Sequence, residues 1–329
     1  MARLAVAIHH ASTRAESETC MKAIYLSAHA GVTSLHYGNL PQPLVHDADI
    51  LIKVHAAAIM PHELGWPSTL RTRAGDPRPF PIVLGHQFSG VVASIGAMVD
   101  TPRVGDAVYG ITDWFSDGAQ AEYCIAPATS VATKPRLLDH VHASVLPIPA
   151  LAAWHGLFDV AKLQSHHRIL IHVATDSVGI IAVQLARWRG ARITATAPTA
   201  DHAFVRLLGA DTVIDDQTSA CESAATDADV VFDCIGCEAL ERSSAHLIAG
   251  GRFATMARRC ASTSGPCIWE SLLLLRSHAA PLSQIGNLID AGEIRVFVDS
   301  VYPLARTKRA YAKASRRTHI GAISARVVE

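Results

Sequence analysis

The sequence carries no net charge. Its 29 lysines and arginines are balanced by 29 aspartates and glutamates, charged residues are only 18% of the chain, and no run of like charge stands out. Sequence-independent nucleic-acid binding needs a basic face that displaces counterions, so no nucleic-acid partner is expected. Long apolar runs are missing too. A bilayer-crossing helix needs about 18 consecutive apolar residues, and the runs here are short, with residues 272–275, for example, suiting a buried strand, so no membrane association is expected. Cysteine is sparse and odd in number, with seven in all (Cys20, Cys124, Cys221, Cys234, Cys237, Cys260, Cys267). Scattered through apparent strands and helices, they form no disulfide framework, which implies a reducing, cytoplasmic setting. The apolar stretch near the start is shorter than a secretory core and is followed by charge, so residues 1–20 read as a loose extension before a second start-like Met21. Internal repeats and low-complexity tracts are absent.

What the chain does have is bulk and rhythm. Half of its 329 residues are hydrophobic, enough for a sizeable core and roughly two domains. Residues 21–142 read as short β-branched or apolar runs (50–54, 90–95, 107–109) broken by Pro, Gly and Asp, which predicts an antiparallel, barrel-like β domain. Over 143–277 the rhythm becomes strand, helix, strand, helix: strands at 169–173, 192–197, 213–214, 230–235 and 253–256 alternate with helices at 180–188, 203–208 and 239–248. Strands too apolar for a wet face, alternating with helices, predict an α/β arrangement with a parallel sheet covered on both sides. Residues 278–329 predict helices at 282–289 and 304–316 and a last strand at 322–328.

Several segments in order carry a resemblance. Pro81-Ile82-Val83-Leu84-Gly85-His86-Gln87-Phe88-Ser89-Gly90, then Val104-Gly105-Asp106-Ala107-Val108-Tyr109-Gly110 and Gly118-Ala119-Gln120-Ala121-Glu122-Tyr123, resemble the first half of the medium-chain dehydrogenase/reductase superfamily. Ala153-Trp154-His155-Gly156-Leu157-Phe158, Val183-Gln184-Leu185-Ala186, Leu208-Gly209-Ala210-Asp211 and Gly250-Gly251-Arg252 resemble its zinc-free quinone oxidoreductase and enoyl reductase branch. The resemblance implies a GroES-like β-barrel domain (21–142), a Rossmann doubly wound parallel-sheet domain (143–277) and a final segment (278–329) that returns to the first. It places the active site for a small-molecule substrate in the cleft between them, where such sites concentrate. It also implies a homodimer through a Rossmann edge strand, here 268–273.

The zinc-dependent branch would need a cysteine where this chain has Ala57-Ala58-Ile59-Met60, and a four-cysteine lobe after about Ile95; neither exists. His86 is followed by Gln87 rather than Glu, and Cys234-x-x-Cys237 lacks a second pair at zinc spacing. No metal is expected, His86 reads as structural, and the two cysteines read as buried thiols.

The cofactor that the resemblance implies is NADPH. A Rossmann loop uses glycines for a tight turn, for close approach to the pyrophosphate and for helix packing. Where the family reads approximately Gly-Ala-Ala-Gly-Gly-Val-Gly, this chain has Val173-Ala174-Thr175-Asp176-Ser177-Val178-Gly179, keeping only the packing glycine. Asp176 puts a carboxylate where phosphates approach a helix N-terminus, and also reads as an ordinary N-cap. Ala152 stands for the family threonine at the nicotinamide, Met60 for an asparagine, and Gly321-Ala322 for a Gly-Lys pair, while Pro198-Thr199-Ala200 replaces the grip on a 2′-phosphate. No acid ends the second strand, which favours NADPH over NADH. The positions left to hold a dinucleotide, weakly if at all, are Ser177, Val178, Gly179, Thr196, Thr199, Ile235, Gly236 and Met256.

Two enzymatic readings stay open. One is a reductase in which NADPH passes hydride to an enone, quinone or enoyl thioester inside an apolar, water-poor cleft. The other is cyclisation, isomerisation or elimination without a nicotinamide, by general acid/base groups. Family position and chemistry nominate His62, Glu63, Asp113 and His155 as catalytic groups and Met60, Trp66, Trp114 and Trp269 as pocket walls. A purely structural or interaction role is the third.

Overall fold

The computed structural model describes residues 19–216, 227–234, 247–256, 279–316 and 320–328. Two sheets form the β half. A small one joins β1 (Cys20–Leu26), β2 (Leu35–Pro41) and β4 (Ile82–Val83) in the order β2-β1-β4. The larger, seven-stranded sheet contains β3 (Asp49–Ile59), β5 (Gln87–Ile95), β6 (Ala107–Ile111), β7 (Tyr123–Pro127), β8 (Val131–Thr133), β14 (Val298–Pro303) and β15 (Ala322–Arg326). Its order is β14-β15-β3-β5-β6-β8, with β7 pairing β3. Pairing is antiparallel except between β14 and β15. The long β3 is its spine, with Ile50, Ile52, Val54 and Ala57 in one buried cluster with Phe88, Val92 and Val108.

The α/β half is a five-stranded parallel sheet. Its strands β9 (Arg168–His172), β10 (Arg192–Ala197), β11 (Thr212–Asp215), β12 (Ala228–Asp233) and β13 (Leu247–Thr255) lie in the order β11-β10-β9-β12-β13. Burial of Ile169, Leu170, Ile171, Val230, Val231 and Phe232 explains why these strands carry no polar alternation. One expectation is corrected here. Residues 247–248, read as the end of a helix, open β13, because Leu247 pairs with Ala228 and the ladder overrides local helical pattern. The rest of that expected helix, and the edge strand expected at 268–273, lie outside the described residues.

Seven helices are described. They are α1 (Pro67–Leu70), α2 (His140–Ser144), α3 (Pro147–Trp154), α4 (Ser177–Arg189), α5 (His202–Leu208), α6 (Ala279–Asp290) and α7 (Thr307–Ala314). The helix expected over 304–316 is shorter, since Leu304–Arg306 form a 3-10 turn ahead of α7. α6 packs on β8 and α3 and so touches both halves, and Tyr109 on β6 donates its hydroxyl to the Leu282 carbonyl at 2.6 Å. No described helix is long and apolar enough to cross a membrane.

Candidate active site between the two halves

A cavity of about 540 Å³ opens where the carboxyl end of the parallel sheet meets the end of β3. One wall is Ala58, Ile59 and Met60 with the 3-10 turn Pro61–Gly65 and Trp66, closed by Gly321–Ile323 at the start of β15. The opposite wall is the β9–α4 loop (Val173 and residues 175–178) with Cys234 and Met256. Val145, Ile148 and Pro149 form the floor. Strand ends and a helix start converge here because in a parallel sheet every strand ends, and the helix after it begins, on the same edge. Among the described lining residues Asp176 is the one acid, and no lysine or arginine is present.

The loop is built from its sequence in three steps. Val173 has φ +55°, a left-handed conformation that is an outlier for a β-branched residue, and it occupies the first glycine position of the family loop. The turn is held by Thr196, whose Oγ1 accepts from the Val173 N–H at 3.0 Å and whose carbonyl accepts from the Ala174 N–H. Asp176 then caps α4, accepting from the Ser177 N–H at 2.6 Å and the Ser177 hydroxyl at 3.3 Å. Gly179 cannot be replaced freely, since a Cβ there would lie 2.3 Å from the Val173 carbonyl oxygen.

The expected site residues divide into three groups. Met60, His62, Trp66, Ser177, Val178 and Met256 line the cleft. Trp269, Ile235 and Gly236 lie outside the described residues. The remainder are placed elsewhere, and each has a physical reason. Glu63, next to His62, is fully buried and turned away from the cleft, accepting the Gly85 and His86 N–H groups at 2.8 and 3.1 Å. Burial pushes its pKa up to about 7 against the pull of those two donors. Asp113 sits at a second, open depression, in an ion pair with Arg73 at 2.7 Å. His155 starts a one-turn π-helix after α3 and faces Asp159 across 3.0 Å. Trp114 backs the wall rather than lining it, edge-on to Trp66 at 5.5 Å. Gly179 and Thr196 support the loop from beneath, and Ala152 is buried in the core. Thr199 donates its hydroxyl to Asp215 instead of facing the cleft.

His86 lies parallel to the Trp66 ring at 6.0 Å, its Nδ1 is within 2.9 Å of the Thr112 hydroxyl, and burial lowers its pKa to about 3, so it is a neutral packing residue. Gln87 was not among the expected residues and proves central. Its Oε1 accepts from the Ile148 N–H at 3.0 Å while its Nε2 donates to the Met60 sulfur at 2.9 Å, tying β5, the cleft wall and α3 together. Its place directly after the Gly85-His86 pair was the available signal.

The described residues fit one part of a dinucleotide. The apolar floor and the Met60, Trp66 and Met256 walls suit an uncharged nicotinamide ring, and Gly179 gives the close helix approach. Among the described residues the diphosphate end has no basic side chain and meets the Asp176 carboxylate on the helix N–H it would use, so that part does not fit.

Comparison with known proteins agrees with this architecture. Residues 46–136 match the family described as "Alcohol dehydrogenase GroES-like domain", and residues 208–323 that described as "Zinc-binding dehydrogenase". The chain belongs to the medium-chain dehydrogenase/reductase superfamily of oxidoreductases. Within it, its relatives place it in the quinone oxidoreductase branch. It is 25% identical to the mitochondrial NAD(P)H oxidoreductase RTN4IP1 of Homo sapiens, covering 94% of this chain and 90% of that one. It is 27% identical to a chloroplast envelope quinone oxidoreductase homolog of Arabidopsis thaliana, covering 88% and 93%. The solved quinone oxidoreductase of Coxiella burnetii superposes with a TM-score of 0.83 at 25% identity, covering 94% of this chain and all 100% of that one.

Proposed function

We propose that this chain is an oxidoreductase that reduces a quinone or an activated C=C bond of a small apolar molecule in the cleft between its β half and its parallel-sheet half, using a reduced nicotinamide as donor. The observation that carries the reading is the cleft itself, apolar in floor and walls and placed at the carboxyl end of the parallel sheet, in a chain whose relatives are named NAD(P)H and quinone oxidoreductases. When bound, the nicotinamide supplies hydride. The chain's own residues do the rest. Met60, Trp66, Ile148 and Pro149 exclude water from the acceptor, and Gln87 fixes the Met60 side chain and the start of α3. His62, on the cleft wall, is the group able to return a proton to the reduced acceptor through a ring nitrogen.

NADPH is the expected donor over NADH. β10 ends at Ala197, and Pro198 and Thr199 follow it with no carboxylate at the strand end for the ribose hydroxyls, while Asp215 at the end of neighbouring β11 accepts the Thr199 hydroxyl. The mismatch at the diphosphate end favours a second reading, in which His62 performs acid/base chemistry on a substrate with no nicotinamide present. A cytoplasmic homodimer completes the proposal, resting for its setting on the free thiols of Cys20, Cys124 and Cys234. The test is acceptor-dependent oxidation of NADPH and NADH across a panel of quinones and enones. Slow but acceptor-dependent turnover with NADPH is expected, whereas no oxidation with any acceptor, beside nicotinamide-free conversion of an enone, would move the chain to the second reading.

A further inference from the structure

Asp176 lines the cleft in a position that decides the charge of what can bind there. Its carboxylate already holds the Ser177 N–H at 2.6 Å, and with it the partial positive charge of the start of α4. An anion arriving at this helix turn must compete for that N–H and lie beside the carboxylate. Nothing else in the described lining offsets this, since no lysine or arginine is there and the remaining side chains are apolar or neutral, apart from His62. Family loops of this kind receive phosphate on glycine N–H groups. Here Val173, Asp176 and Ser177 take those places, and all three line the cavity.

We propose that Asp176 is a charge filter. It weakens binding of anionic ligands, dinucleotide diphosphates and carboxylate-bearing acceptors alike, and turns the cleft toward uncharged acceptors such as quinones and enones. The proposal rests on the oxidoreductase reading for its choice of ligands. Two unit charges about 4 Å apart repel enough to cost roughly fivefold in affinity even in bulk water, and more in a drier cleft.

The experiment is a pair of binding titrations, followed by protein fluorescence, on the full chain and on Asp176→Asn and Asp176→Ser. Asn and Ser are both good N-caps, so the start of α4 is kept while the charge goes. One ligand is NADPH and the other is the uncharged N-benzyl dihydronicotinamide, which has no phosphate. The expected result is that the NADPH dissociation constant, divided by that of the uncharged probe, falls roughly fivefold or more in both variants. A ratio within about twofold of the parent in both would overturn the proposal. Reduction of a quinone by either donor is measured separately. Its absence counts against the oxidoreductase reading alone, because the ratio is taken from binding and not from turnover.

Discussion

Glu63 shows how one residue can matter to a cleft without touching its contents. Its carboxyl group, sealed from solvent, receives the Gly85 and His86 N–H groups and so pins the Gly85-His86-Gln87 segment, from which Gln87 reaches the cleft. Burial raises its pKa from 4.5 to about 7, which means the folded state holds a proton that the unfolded chain has released. The stabilisation from that proton is complete below about pH 4.5 and is lost as pH rises through 7. A displacement of this size corresponds to on the order of 3 kcal/mol. His86 and His140, whose pKa values burial lowers to about 3 and about 4, act in the opposite sense below about pH 6.5 and are shared by both proteins. In urea unfolding between pH 5 and pH 8 the stability of the parent relative to Glu63→Gln, which cannot ionise, should therefore fall as pH rises. The variant should also be less stable at low pH, because its amide N–H₂ meets a backbone donor. Equal slopes in the two proteins would show that Glu63 does not carry the pH dependence.

Among the elements, α4 was the most legible in the sequence and the site around it the least. Asp176 as a cap, Gly179 for packing and a helix through Trp188 could all be read from residue type and order, and α4 indeed runs from Ser177 to Arg189 before Gly190 ends it with φ +83°. The central strands β9 and β12 were equally readable, because their apolar runs are buried, whereas the half-exposed β13 was expected only from residue 253. What could not be read was direction. Glu63 and His62 are neighbours in a 3-10 turn, yet one faces buried backbone and the other the cleft; Asp113 and Trp114 likewise diverge, one to an ion pair with Arg73 and the other to the Trp66 ring. Such choices depend on partners distant in sequence, which no local pattern records. Gly179 provides a test at this scale. Its Cβ position lies 2.3 Å from the Val173 carbonyl oxygen and 2.8 Å from the Ala174 Cα, both backbone. Gly179→Ala should push α4 off the loop and cost about 1–3 kcal/mol despite alanine's better helix propensity. A thermal melt matching or exceeding the parent would show that the contact can relax.

The whole molecule is a β half of two sheets and a parallel-sheet half with a cleft between them, and a few directional contacts fix the relation of the halves. Gln87 joins β5 to the start of α3. Tyr109, fully buried on β6, reaches the Leu282 carbonyl on α6. Gln184 on α4 pairs twice with the main chain of Arg295, accepting its N–H at 2.8 Å and donating to its carbonyl at 3.0 Å, so the extended segment leading back to β14 is fastened to the parallel-sheet half. The last two bonds hold the two ends of the return path, and they share no partner. Tyr109→Phe removes a second donor from a carbonyl that keeps its helical bond within α6, whereas Gln184→Ala takes the partner from both an N–H and a carbonyl of Arg295; about 1 and about 2–3 kcal/mol are the expected losses. Because the sites share no residues, the losses should add in the double variant. The unfolding transition should meanwhile stay single if the halves fold as one cooperative unit. A split transition in Gln184→Ala, with the parent unfolding in one step, would mean that this pair is what couples the halves, and the cleft geometry would then depend on it directly. In that case NADPH and the uncharged dihydronicotinamide should both bind more weakly to Gln184→Ala by a similar factor, a pattern distinct from the charge-selective change expected at Asp176.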